Sequence, residues 1–222
     1  MHFTKGISTF IVSVLLATSA VGELIQVPRA ANADIVAREA ANVIRSATPE
    51  ERVQKRADAC LSAIKKRRVL ARANKDVDVD DWASGRNQDT LTTTGLATCY
   101  GVAITGSYGG GKTGDDRFLS HTLEGERDPA STMFDTVEAA RANGLGNLYA
   151  LLVYPDPSSF TNDDGWTDED RSDVQAEYDW YVTWITDATG GVAPEEKSHD
   201  YKESWGIKIN SYKGIQSGRF VS

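Results

Sequence analysis

The sequence is poor in cysteine, in histidine and in long apolar runs, and each shortage narrows what the chain can be. Among 222 residues the only cysteines are Cys60 and Cys99, enough for one disulfide and no more. There are three histidines, and one of them, His2, lies at the amino terminus. Any acid–base chemistry that relies on histidine therefore falls to His121 or His199. A single long apolar run comes after Lys5, over 7–21, and leads to the small residues Ala20, Val21 and Gly22. That pattern reads as a secretory signal peptide over 1–22. No other run approaches membrane-spanning length, so a mature chain that is secreted, extracellular and without a membrane partner is expected. No N-x-[ST] sequon and no internal repeat is present.

Acid outweighs base overall, with a formal charge of −8, which argues against nucleic acid as a partner. The balance is uneven along the chain. Residues 23–68 carry ten Lys and Arg against six Asp and Glu, and residues 69–222 carry thirteen against twenty-six. The basic segment is Ala- and Arg-rich with apolar residues at helical spacing, Ile35, Val36, Ala40 and Val43, then Val53, Ala57, Leu61 and Ile64. Thr48, Pro49 and two acidic residues form a helix start for its second half. Its dibasic sites, Lys55-Arg56 and Lys65 to Arg68, suit processing proteases. A pro-segment over 23–68 is one reading, and a permanent two-helix layer is the other. Removal after Arg68 would take Cys60 away and leave Cys99 as the sole cysteine.

Residues 69–88 read as an acidic linker. Asp76, Asp78, Asp80 and Asp81 alternate as at the start of a calcium loop, but the Gly and closing Glu that such a loop needs are missing, so no metal is assigned. From 89 to 222 the pattern is that of an α+β, or mixed α/β, domain, with helices packed on a largely antiparallel sheet. Residues 91–106 and 117–123 read as strands. A helix is expected from Asp128 with Met133, Phe134, Val137 and Ala140 inward, ending at Asn143-Gly144. Residues 147–154 are continuously apolar and read as a central strand covered on both faces. Residues 167–170 cap a second helix with Val174, Tyr178, Tyr181, Val182 and Ile185 inward, and 205–209 and 216–221 read as two final strands.

The chemistry concentrates between 91 and 123. Cys99 heads a short apolar run, and Gly95, Gly101 and Gly106 leave its backbone open to close approach by another chain or a ligand. His121 lies in the next strand-like run. If the two pair as a hairpin, thiol and imidazole become neighbours, the arrangement of nucleophilic cysteine catalysis. Residues 106–113 also match the phosphate-loop pattern G-x-x-x-x-G-K-[ST]. Directly after Lys112-Thr113 come Gly114, Asp115 and Asp116, which disfavour a helix and repel phosphate, so that match reads as coincidence.

Thr93, Gly95, Thr98, Cys99, Gly101 and His121 resemble the motif of the CheD-like deamidases. That superfamily includes the bacterial chemoreceptor glutamine deamidase CheD and the catalytic domains of cytotoxic necrotizing factor-type toxins. Thr93 lies six residues before Cys99, as the family's threonine lies before its nucleophile, and residues 118–121 resemble the short strand ending in the catalytic histidine. The connection from Cys99 to His121 is longer than the family pattern, with the Gly-rich tip as the insertion. The resemblance implies a secreted hydrolase, an effector or toxin, acting on a protein or small-molecule side-chain amide without a cofactor. Cys99 would be the nucleophile, His121 the base and Thr93 its orienting partner. Gly95, Thr98 and Gly101 would form the oxyanion and substrate region.

A different class of function fits the same residues. In it a Cys60–Cys99 disulfide staples a non-catalytic secreted effector or binding module, and His121 and Thr93 are ordinary strand residues.

Overall fold

The computed structural model describes Gln54, Asp58 and residues 74–219. The expected signal peptide over 1–22, the basic segment with Cys60, and residues 69–73 and 220–222 lie outside the described residues, apart from those two helical positions. Gln54 Nε2 donates to Asp58 Oδ1 at 2.9 Å, one turn on.

Two helices pack against two mostly antiparallel sheets, in three layers. The five-stranded sheet has the order β2 (Asp81–Gly85), β5 (Arg117–Thr122), β4 (Tyr100–Tyr108), β6 (Leu145–Pro155), β7 (Glu195–His199). The four-stranded sheet runs β1 (Asn74–Asp76), β3 (Thr90–Leu96), β8 (Trp205–Ile209), β9 (Ile215–Gly218). Helices α1 (Asp128–Ala142) and α2 (Asp168–Thr189) cover the outer face of the larger sheet.

Strand alternation explains the layering. On β4, Tyr100, Val102 and Ile104 point to the helices and meet Met133, Phe134, Val137, Tyr181 and Ile185. Ala103 and the neighbouring Cys99 point the other way, with Leu119, Leu151 and Val153, into a core shared with Leu91, Leu96, Ile207 and Ile209 of the smaller sheet. β6 therefore buries both faces, as its continuous apolarity requires. Each such side chain contributes roughly 1.5–3 kcal/mol on burial.

Helix ends obey their local chemistry. The side chain of Thr167 accepts from Asp170 N–H while Asp170 accepts from Thr167 N–H, a full capping box, and α2 ends on Gly190 at φ 73°. α1 begins with Asp128 and Pro129 and stops at Asn143, with Gly144 at φ 97°. α2 is the crossover that allows β7 to run parallel to β6.

Several expectations change. Residues 91–106 are not one strand. β3 and β4 lie in different sheets, because Gly95 at φ 92° and a bulge between Thr94 and Leu96 turn the chain. Residues 74–88 are not a linker, since they supply β1 and β2. Residues 195–199, to which the sequence pattern assigns no strand, form β7. All three unread strands are sheet edges, where polar and charged residues face solvent and hydrophobic alternation is lost. Residues 109–114 are the tip of the β4–β5 hairpin, and no helix begins at Lys112-Thr113, so the phosphate-loop geometry is absent. Among the described residues no helix is long and apolar enough to cross a membrane.

Candidate functional site: a buried Thr–His pair beside a locked cysteine

The β4–β5 hairpin sets the geometry. Gly101 pairs with His121, and Tyr100 with Thr122, in antiparallel register. Cys99 lies in the bend just before β4, two residues ahead of the Gly101 that pairs with His121. Both side chains are on the face turned towards the smaller sheet. Tyr100 and Thr122, on the opposite face, secure this end of the hairpin to the helices. Tyr100 donates to the Val174 carbonyl at 2.8 Å and stacks on Tyr181, whose hydroxyl bonds that of Thr122.

Thr93 reaches the same space from β3 of the opposing sheet. Its hydroxyl donates to the Val77 carbonyl at 2.8 Å. Having spent its one proton there, it accepts from His121 Nδ1–H at 2.7 Å. The chain His121–Thr93–Val77 thus fixes the imidazole tautomer and places the ring's lone pair on Nε2. Thr93, Cys99 and His121 are 2%, 0% and 0% exposed. Burial pushes His121 down to about 3, so the ring is neutral at ordinary pH.

Cys99 is disulfide-bonded. Cys60, the only other cysteine of the sequence, lies outside the described residues. In this state Cys99 has no thiol to ionise and cannot act as a nucleophile.

The flanking residues divide. Thr98 is buried in the turn that joins β3 to β4, and Gly95 supplies that turn's positive φ. Gly101 does not hold space open for a ligand. A Cβ there would come within 2.7 Å of Ile207 Cδ1 and 2.8 Å of Leu96 Cδ1, so the close approach is between the protein's own sheets. Gly106 is likewise covered by Leu148 and Leu145. Among the described residues no group of three or more His, Cys, Asp or Glu is placed to hold a metal ion.

Sequence reasoning missed one contributor, the Val77 carbonyl that accepts from Thr93. Val77 sat in the segment read as linker.

Comparison of the sequence with protein-family models gives no match, and comparison with curated proteins gives none either.

Proposed function

We propose that the chain is a secreted thiol-dependent amide hydrolase of the glutamine deamidase type, held latent by the disulfide at Cys99. The observation that supports this most is the 2.7 Å contact between Thr93 and His121, on the face that also carries Cys99. Three residues picked out by spacing face the space between the two sheets, Thr93 from β3, His121 from β5 and Cys99 from the bend before β4, with the imidazole in the tautomer of a base. The resemblance to the CheD-like and necrotizing-factor deamidases gives the reaction class.

In the oxidised form the site is at rest. A dithiol reductant transfers two electrons to the disulfide and leaves thiols on Cys99 and its partner. In this reading the partner of Cys99 is Cys60, in the basic segment 23–68. A cut after Arg68 would not release Cys99 by itself, because the disulfide would keep the segment tethered. Once the bond is open and water enters, His121 Nε2 takes the proton of the Cys99 thiol. The thiolate attacks the carbon of a side-chain carboxamide, and backbone N–H groups near Cys99 stabilise the oxyanion. The C–N bond breaks, and His121 returns its proton to the departing ammonia. Water, deprotonated by His121, then cleaves the thioester to a carboxylate and restores the thiol. Thr93 orients the ring throughout.

The test is ammonia release from casein, whose glutamines present the amide in many contexts, with and without reductant. Release on reduction that disappears in Cys99→Ser supports the reading. A folded, reduced chain that releases none contradicts it. A second reading is favoured by the disulfide itself and by the complete burial of Cys99 and His121. In it the chain is a non-catalytic secreted binding or effector protein, and Cys99→Ser costs only stability.

A further inference from the structure

The chain changes sheets beside His121. β1 belongs to the smaller sheet and β2 to the larger, and only residues 77–80 join Asp76 to Asp81. Asp81 is the β2 residue that pairs with His121. This short strap therefore crosses from sheet to sheet next to the residue that carries the imidazole. Val79 of the strap and Leu123, just past β5, both pack on the core between the sheets.

Hydrogen bonds tie the strap to each sheet. On the smaller one, Val77 N–H donates to the Thr92 carbonyl at 2.8 Å, and the Val77 carbonyl accepts from the Thr93 hydroxyl at 2.8 Å. On the larger one, Asp80 Oδ1 accepts from Leu123 N–H at 2.9 Å, directly beyond the end of β5. Asp80 makes that bond from φ 55°, a left-handed conformation that strains a residue with a side chain and that Asp tolerates better than most.

The Val77 N–H fixes the residue but not its carbonyl, whose direction turns with ψ of Val77 and so with the course of the strap. That direction decides the polarity of the relay to His121. A threonine hydroxyl has one proton to give. With the Val77 carbonyl in place the proton goes there, and His121 Nδ1 is the donor to Thr93 at 2.7 Å. With the carbonyl turned away, the same hydroxyl can donate to a bare Nδ1, and the ring proton moves to Nε2. The Thr93–His121 contact survives in both arrangements with its direction reversed. Only the first leaves Nε2 able to take a proton.

We propose that Asp80 is a positioning residue for His121: by latching the strap onto Leu123 it holds the Val77 carbonyl on Thr93, and so selects Nε2 as the basic nitrogen. The inference deepens the thiol-hydrolase reading and rests on it for the use made of that nitrogen. Asp80 acts through Val77 and Thr93, not by touching a substrate.

The test reads the ring directly. In the full chain labelled with nitrogen-15, long-range proton–nitrogen spectra report which nitrogen of His121 carries the proton. The parent should show a protonated Nδ1 and a bare Nε2. Asp80→Gly keeps the left-handed turn without steric cost and removes the acceptor. Its tautomer ratio should move about tenfold towards Nε2–H, the worth of one hydrogen bond. Asp80→Asn, which tolerates the same φ and keeps an oxygen acceptor, should resemble the parent. Asp80→Ser, one bond too short for the same contact, replaces the glycine variant if that chain does not fold. A purely structural Asp80 would lower the unfolding midpoint and leave the ring as it was. A parent-like spectrum in folded Asp80→Gly or Asp80→Ser therefore overturns the inference, as does a parent with its proton on Nε2. Casein ammonia release on the same samples, reduced, separates the two claims. A tautomer that shifts without ammonia from any chain keeps the latch and removes the hydrolase; ammonia from the parent beside an unshifted tautomer in Asp80→Gly does the reverse.

Discussion

Strand β5 carries a buried polar group near each end on one face, Arg117 at one and His121 at the other, about 13 Å apart. At the first end every need is met within the chain. Arg117 Nε donates to Asp116 at 2.9 Å, Nη1 to the carbonyls of Asp89 at 2.6 Å and Asn210 at 3.1 Å, and Nη2 to that of Asn87 at 3.0 Å. Lys213 closes on Asp116 at 3.0 Å. That is a staple joining both sheets, at 1% exposure of the guanidinium. The other end holds a neutral His121 on Thr93, a second histidine, His199, whose buried Nε2 has no hydrogen-bond partner among the described residues, and a cysteine held in a disulfide. Satisfied charge at one end contrasts with buried neutral histidines and a disulfide at the other, and the proposed function draws on the second.

Substitutions should separate the two. Arg117→Met removes the guanidinium donors of the staple, leaving three carbonyls without a partner from it and Asp116 with Lys213 alone. Its expected cost is about 3–5 kcal/mol in urea unfolding, the largest of the set. Acid acts selectively on the other end. His121 has a folded value of about 3 against an ordinary 6.5, so the unfolded chain binds the proton first as pH falls. The stability tied to it is complete above pH 6.5 and is lost between 6.5 and about 3. An unfolding series across that window should flatten in His121→Phe and keep its slope in Arg117→Met. Reducing the Cys99 disulfide should lower stability by about 2–4 kcal/mol, measured by the same denaturation with and without reductant. Gly101→Ala forces a methyl against Ile207 and Leu96 and should cost about 1–3 kcal/mol in the midpoint of thermal unfolding. Tyr212→Ala, at a side chain 88% exposed, should stay within about 0.5 kcal/mol.

The same contrast shows what a sequence displays. Both helices were legible from their caps and periodicity, and β6 from its unbroken apolar run, because these elements bury side chains locally. β1, β2 and β7 were not, since Lys75, Asp81, Glu195 and Glu196 stand at exposed edges and carry no alternation. The site was legible in part. Spacing singled out Thr93, Cys99 and His121, yet only the turn at Gly95 reveals that Thr93 approaches from the opposite sheet. Gly101 looked like an opening, and it is a packing contact between sheets. His199 arrives on an edge strand that the pattern does not mark, paired with Pro155 of β6.

The central claim is that Cys99 and His121 form a thiol–imidazole pair once the disulfide opens. The most direct test is the pH dependence of Cys99 alkylation in the full chain carrying Cys60→Ser, compared with the same chain carrying His121→Ala. The predicted result is a reactive thiolate well below the ordinary cysteine value of about 8.5, moving up towards it when His121 is removed. A thiol that titrates at or above that value, indifferent to His121, would contradict the claim and leave the disulfide as a staple alone.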